Sequence, residues 1–347
     1  MWHFAVLAAC AAAIYVSCEW FVNAVEWLGQ RLRVSRVAVG TVLAALGTAL
    51  PESVVTFVAV TTGDGATRDV GVGAAMGGPL ALATVAYGAT GLALVAQRWA
   101  RRPQLATVGG GVQGPMPPQR GILGVRHEYD RLLRDQKWFL VVFAVKVALG
   151  LVAFSFKPWL GLLFFAAYAV YFGRELRGGE NSERDELEPL RMQRRTANPS
   201  TWAVVVQTLG SLVVTFVASQ LFVDQLNTVG PMLGLSGSVT ALLLSPLATE
   251  LPEIMNAVVW VRQGKNRLAL ANISGAMMVQ ATVPSGLGLL FTSWHLDGPL
   301  LWAGVVTAGA ITCLLFTLLN RALTVRKLTL VGAFYGVFAL GLIPILG

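Results

Sequence analysis

Long apolar runs constrain this chain more than anything else in it. Ten of them can be read along the 347 residues, near 3–28, 34–62, 70–96, 138–156, 158–173, 201–226, 234–261, 268–292, 298–320 and 328–346. Runs of about 20 apolar residues are long enough to cross a bilayer as helices, and lipid offers the backbone no alternative partners. Only 13% of residues are charged and mean hydropathy is +0.64, against about 25% charge in an ordinary soluble domain. The main body is therefore not a soluble enzyme, a disordered protein or a nucleic-acid module, despite a net charge of +8. The first run is not a secretion signal, since it lacks a basic start and contains Glu19 and Glu26. Cys10, Cys18 and Cys313 sit in apolar stretches with neither disulfide-framework nor metal-type spacing.

Basic residues orient the spans. Of the 26 Lys and Arg, 23 fall in five alternate loops: after the first, third, fifth, seventh and ninth runs. The other loops hold only Arg68 and Lys157, and Lys146 lies within a span, where it is expected to pair with a carboxylate of the bundle. This bias predicts cytoplasmic basic loops and both termini outside, in a multi-pass protein of the plasma membrane. Residues 97–137 read as a Gly/Pro-rich linker, Gly109-Gly110-Gly111 through Pro117-Pro118, followed by a short amphipathic piece ending near Lys137. Residues 174–200 mix six basic and six acidic side chains and read as a solvated connector. Tryptophans near span ends, Trp27, Trp138, Trp159, Trp202, Trp260 and Trp294, read as interfacial belts. Glu19, Glu26 and Asp224, in the first and sixth helices, read as carboxylates that snorkel to water near helix ends, or as a polar face toward an aqueous path.

The chain also repeats itself. At an offset of 201, the 34 residues Glu19–Glu52 align without a gap on Gln220–Glu253 with 11 identities, among them Phe21-Val22 with Phe222-Val223, Ser35 with Ser236, and the shared Thr-x-Leu-Pro-Glu that ends at Glu52 and Glu253. Five spans separate the copies, so the second is inverted. Inverted repeats with helices broken at matching points mark secondary transporters whose substrate site lies near the midplane. The expected architecture is an all-α integral membrane protein of about ten helices in two inverted five-helix repeats, 1–173 and 201–347, joined by the connector 174–200. The repeat motifs lie near 40–80 and 241–278.

A carboxylate at the bilayer centre costs at least about 2.5–3.5 kcal/mol, and this chain places one at the same point of both copies. Proline removes a backbone hydrogen bond four residues back, which frees the carbonyls of Gly47 (by Pro51) and Ala248 (by Pro252). Carboxylate, carbonyl and threonine hydroxyl at one depth are hard oxygen ligands, suited to Ca²⁺ or Na⁺ and not to a soft metal. No nucleophile–base or zinc-hydrolase motif is present, so an enzyme is not expected, and no cofactor. His3, His127 and His295 are too dispersed for a histidine metal site.

Gly47-Thr48-Ala49-Leu50-Pro51-Glu52 and Ala248-Thr249-Glu250-Leu251-Pro252-Glu253 resemble the two α-repeats of the calcium/cation antiporter family, the sodium/calcium exchangers. The lead-in Leu32-Arg33-Val34-Ser35 and Gly40 resembles the family too. So do Gly73–Gly78 and Ala271–Ala276 in the helix that follows each motif. The resemblance implies ten helices, both termini outside, and ion sites between the second, third, seventh and eighth. Glu52 and Glu253 would bridge Ca²⁺, Thr48 and Thr249 would line the sites, and Ala45 would offer a carbonyl. The transported ions would be Ca²⁺ and Na⁺ or H⁺.

This chain departs from the pattern. Ala49 and Glu250 stand where the family usually has Ser, and Pro246 replaces a small residue before Thr249. Ala74, Gly78 and Ala276 lack a side-chain oxygen at matching ligand positions, and only Asn272 keeps one. Na⁺ would find fewer ligands than usual. Glu250, three residues before Glu253 and expected on the same helical face, adds a carboxylate that repels its neighbour when both ionise, an arrangement that suits protons. The expected function is exchange of Ca²⁺, or a related cation, for Na⁺ or H⁺. The alternatives are purely H⁺-coupled exchange and a non-transporting cation-binding relative.

Overall fold

A computed structural model describes residues 2–62, 65–100, 122, 126–177, 187–232 and 243–346. The Gly/Pro-rich part of the 97–137 loop, the middle of the connector (178–186) and the start of the expected seventh span, including Ser236, lie outside the described residues. Among those described, every regular element is helical.

Two long apolar helices, α1 (Trp2–Arg31, 30 residues) and α8 (Thr201–Met232, 32 residues), lie against each other. Each is about 45 Å long at 1.5 Å per residue, more than the ~30 Å of a bilayer's hydrocarbon core. After α1 the chain enters the short helix α2 (Arg36–Ala38), capped by the Ser35 side chain accepting from the Ala38 N–H. A π-helical turn (Val39–Ala44) leads into α3 (Ala45–Thr62). A second π turn (Leu82–Ala86) joins α4 (Gly65–Ala81) to α5 (Tyr87–Ala100).

The amphipathic piece expected to end near Lys137 is instead continuous with the next span, forming the single helix α6 (Arg126–Leu151). Its basic face caps the bundle: Arg131 and Arg134 both donate to the buried Glu175 of α7 (Gly161–Arg177), which also accepts from Thr41 Oγ1 at 3.1 Å.

The C-terminal half contains the short α9 (Ser245–Thr249), α10 (Leu251–Arg262), α11 (Asn266–Phe291), α12 (Gly298–Leu319), α13 (Val325–Val331) and α14 (Ala333–Leu346). Six helical stretches among the described residues are long and apolar enough to cross a membrane, seven with the bent segment that runs from the Val39–Ala44 turn through α3. The other expected spans are short, 17 residues in α7 and 12 in α10, or carry charge, as α6 does.

Helix α11 is the centre of the bundle and is buried along most of its length. It touches α3, α4, α6, α7 and α10. Glycine makes the closest crossing possible: Gly275 lies on the Thr41 main chain with no room for a Cβ, and a Cβ on Gly40 would stand 3.0 Å from the Leu268 carbonyl. The π turn of Val39–Ala44 is thereby seated on α11, which fixes where α3 carries its motif.

Candidate ion-binding site

Both Pro-Glu motifs sit at helix breaks. The segment Val39–Ala49 meets Glu52–Thr61 at 46°, with Pro51 between them. In the second copy Glu250 (φ −86°, ψ 4°) separates α9 from α10, and Pro246 and Pro252 each occupy the first turn of a helix. Glu250 and Glu253, read as sharing one helical face, do lie together; Glu250 is also the junction residue of the two helices, where Pro252 removes an amide from the ladder.

These breaks bring three carboxylates together. One oxygen each from Glu52, Glu250 and Glu253 lie within 4.8 Å of one another. This is the one group of acidic, His or Cys side chains among the described residues so arranged. Glu250 and Glu253 have no exposed surface, and Glu52 is half-buried. Both oxygens of Glu250, both of Glu253 and Oε1 of Glu52 have no hydrogen-bond partner. Glu52 Oε2 accepts from Gln280 Nε2 on α11. Buried like charges without donors are costly unless a cation meets them.

The threonines have mixed roles. Thr48 Oγ1 donates to the Ala44 carbonyl (3.1 Å) and Thr249 Oγ1 to that of Pro246 (3.2 Å). With Glu52 they line a cavity of about 30 Å³, enough for a water-sized occupant. Asn272 Nδ2 donates to the Glu253 carbonyl at 3.1 Å, and its Oδ1 has no partner. Ala45, Ala49, Gly78, Ala248 and Ala276 are buried, Gly47 is half-buried against Phe21 and Leu212, and Ala74 is exposed. Gly78 carries no oxygen of its own, but a Cβ there would stand 2.5 Å from Glu250 Oε1. The second copy thus supplies a carboxylate to a place where α4 has no side chain.

Other polar side chains depart from expectation. Lys146 pairs with no carboxylate among the described residues. Its Nζ donates to the Ala75 carbonyl (2.8 Å) and to Ser285 Oγ (3.2 Å). Glu26 does not snorkel: it is buried and accepts from Trp260 Nε1 (2.9 Å) and Lys265 Nζ (2.7 Å). Glu19 accepts from the Tyr15 hydroxyl (2.7 Å) and Arg191 (3.0 Å), whereas Asp224 is exposed.

Two features escape a reading by motif. Gln280 follows Asn272 and Ala276 at steps of four, the spacing of one helical face. Helix α8 carries a buried polar stripe, Thr208, Ser211, Thr215 and Ser219, at steps of three and four. Thr215 Oγ1 meets Ser17 Oγ of α1 at 2.8 Å, and Thr215 and Ser219 line the cavity beside Glu52. Periodicity places each on one helical face; what the face meets depends on how the helices cross.

The profile of the family described as "Sodium/calcium exchanger protein" matches residues 2–174 and 203–343. The putative antiporter CaxA of Alkalimonas amylolytica is 22% identical over 282 residues, 81% of this chain and 78% of its own. The inner membrane protein YrbG of Escherichia coli (strain K12) is 24% identical over 310 residues, 88% of this chain and 85% of its own. The fold is that of the sodium-calcium exchanger NCX_Mj. A structure of it soaked with zero Na⁺ and Ca²⁺ superposes with a TM-score of 0.71 at 17% identity over 98% of both chains. One soaked with 100 mM Na⁺ and 10 mM Sr²⁺ gives 0.70 over 96% of both.

Proposed function

Because the chain belongs to the sodium/calcium exchanger protein family, we propose that it exchanges Ca²⁺, or a related divalent cation, for protons, with Na⁺ as the alternative counter-ion. Family and helices together make it a multi-pass integral membrane transporter and not an enzyme.

One observation carries the reading: three carboxylates from two broken helices converge within 4.8 Å with five of their six oxygens unpartnered. In this reading Glu52 and Glu253 bridge the divalent ion and Glu250 is the third carboxylate. Thr48, Thr249 and Asn272 Oδ1 complete the oxygen set. Ala45, Gly47, Ala49, Ala74, Gly78, Ala248 and Ala276 line it through main chain or by leaving room. Six to eight oxygen ligands at about 2.3–2.6 Å are ordinary for Ca²⁺.

Protons are favoured over Na⁺ by the kind of ligand present. At Ala74, Gly78 and Ala276 there are no neutral side-chain oxygens, while Glu250 adds a basic one. The segments 1–173 and 201–347 are read as the inverted repeats of a ten-span layout in the plasma membrane, with connector 174–200 cytoplasmic and both termini outside. Alternating access then exposes the midplane site to each side in turn, and the polar stripe of α8 supplies a wet flank beside Glu52.

Radiotracer Ca²⁺ uptake into proteoliposomes, driven separately by pH and Na⁺ gradients, tests this. Uptake under a pH gradient alone is expected. Uptake only under a Na⁺ gradient overturns proton coupling, and none under either overturns exchange.

A further inference from the structure

Part of the connector 174–200 packs onto the bundle. Leu190 has no exposed surface and lies among Ala24 and Trp27 of α1 and Ala203 and Val204 of α8. Its neighbours are tied to the same two helices. Trp27 Nε1 donates to the Glu188 carbonyl (2.9 Å), the Arg191 N–H to Asn23 Oδ1 (2.9 Å) and the Met192 N–H to Gln207 Oε1 (2.8 Å). After Met192 the chain closes on itself: Gln193 Nε2 donates to Ser200 Oγ (3.2 Å), and the Ser200 N–H donates to Gln193 Oε1 (2.9 Å). Arg194 and Arg195 stand exposed on this closed loop. Arg191 pairs with Glu19 at 3.0 Å, but among the described residues Arg194 and Arg195 pair with no carboxylate.

Met192 also lines a groove of about 560 Å³ between α1 and α8, with Ala13, Val16 and Trp20 on one side and Val206, Gly210 and Val214 on the other. The polar side chains that reach the groove are engaged. Ser17 Oγ meets Thr215 Oγ1 (2.8 Å), Gln207 Nε2 donates to the Trp20 carbonyl (2.9 Å) and Ser211 Oγ to the Gln207 carbonyl (2.7 Å). An occupant therefore finds no free hydrogen-bonding group there, and what the groove favours is burial of apolar surface. Val206, Gly210 and Val214 fall at steps of four, one row of the helix surface about 12 Å long. One step earlier in that row is Trp202, exposed and the second residue of α8. An indole in that position sits at the boundary of water and lipid. The arginine loop ends at Ser200, directly before the helix. Positive charge, interfacial ring and apolar groove thus follow one another along α8, in the order of the parts of a phospholipid.

We propose that the chain binds one anionic phospholipid here, with its phosphate on Arg194 and Arg195 and an acyl chain in the α1–α8 groove. Guanidinium groups hold phosphate oxygens by charge-assisted hydrogen bonds, and basic clusters beside a span draw anionic headgroups. The lipid touches both helices of the pair and the connector that bridges them, so its binding stabilises their mutual position. The inference does not depend on which counter-ion is exchanged.

Native mass spectrometry of the full chain in detergent, titrated with dioleoyl phosphatidylglycerol or dioleoyl phosphatidylcholine, tests this. One phosphatidylglycerol is expected to bind about tenfold more tightly than phosphatidylcholine, and to raise the unfolding midpoint by several degrees. Arg194→Gln combined with Arg195→Gln is expected to bind the two lipids alike, with the lipid-free midpoint unchanged because both side chains are exposed. Gly210→Leu reads the groove separately. A Cβ on Gly210 meets nothing within 4 Å, so the leucine fills the groove without displacing protein. It is expected to weaken both lipids about tenfold and to leave the lipid-free midpoint unchanged. Equal binding of the two lipids by the wild type overturns the inference even if no variant folds. So does a headgroup preference that survives the arginine changes, or lipid affinity that survives Gly210→Leu. A lipid-free dimer that Gly210→Leu dissociates overturns it in favour of a second copy of the chain in the groove.

Discussion

Glu250 Oε1 rests against the main chain of Gly78, so close that a methyl group on Gly78 would stand 2.5 Å from it. The contact joins the two halves of the chain at the carboxylate centre. Gly78→Ala therefore forces Glu250 out of place, at a cost of about 1–3 kcal/mol if it follows other overpacked sites. The expected result is Ca²⁺ affinity weakened about tenfold or more, read by calorimetry on the purified protein. Gly73→Ala, five residues earlier on the same helix with nothing within 4 Å of its Cβ position, is expected to leave affinity unchanged. Equal effects from both variants would show that the Glu250–Gly78 contact has no part in binding.

Charge is the property that Glu52 and Glu253 contribute, so Glu52→Gln and Glu253→Gln are each expected to abolish divalent flux. Neither change alters side-chain volume appreciably. Both remove a buried carboxylate that repels its neighbours, so thermal stability without Ca²⁺ is expected to hold or rise. Flux within a factor of ten of wild type in either variant would refute the bridging role.

Gln280 fixes Glu52 from the opposite repeat. A hydrogen bond to a charged acceptor contributes about 1.5–3 kcal/mol. Gln280→Leu is expected to weaken Ca²⁺ binding about 10- to 100-fold while the fold persists, because Gln280 touches the carboxylate and not the helix crossing at Gly275. Gln280→Asn, one methylene shorter, is expected to lie close to Gln280→Leu. Affinity unchanged in Gln280→Leu would make the contact incidental.

How much of this was legible in the sequence differs from residue to residue. The Thr-x-Leu-Pro-Glu copies announce Glu52 and Glu253 because a proline and a buried carboxylate are each costly in an apolar helix, and both recur in register. The long apolar runs announce α1, α8, α11 and α12 for the same reason: nothing but a helix satisfies that backbone in lipid. Gln280 was harder, since its contact depends on how α11 crosses α3, and that crossing is set by Gly40 and Gly275 far along the chain. Glu250 was legible as a carboxylate beside Glu253 from its spacing of three, but its place at the junction of two helices appears only once both are built. Lys146 was expected to find a carboxylate; a carbonyl freed by Pro79 on another helix is invisible to pairing rules based on charge.

Glu26 offers a test of stability separate from transport. It is buried between α1 and α10 and accepts from Trp260 Nε1 and Lys265 Nζ. Removing one partner of a buried pair costs about 3–5 kcal/mol when the other is left behind, and less here because Lys265 keeps 21% of its side-chain surface exposed. Glu26→Ala is expected to lower the detergent unfolding midpoint by several degrees. Adding Lys265→Met to it is expected to recover part of the loss. A double variant no more stable than the single one would mean that Lys265 is not the group left uncompensated.

Ser219 separates access from binding. Its Oγ is buried without a partner on the wall of the cavity that holds Thr48, Glu52 and Thr249, at the end of the polar stripe on α8. Cations that reach Glu52 along α8 must pass this wall, whereas a cation already bound among the three carboxylates does not depend on it. Ser219→Leu fills a space of about 30 Å³ with apolar volume. The expected outcome is a Ca²⁺ uptake rate reduced about tenfold, equivalent to about 1.4 kcal/mol on the barrier, with equilibrium Ca²⁺ affinity nearly unchanged. Ser219→Ala removes only the hydroxyl and is expected to slow uptake less. If Ser219→Leu transports at the wild-type rate, ions do not enter along α8. If it loses rate and affinity together, Ser219 belongs to the binding site and not to its approach.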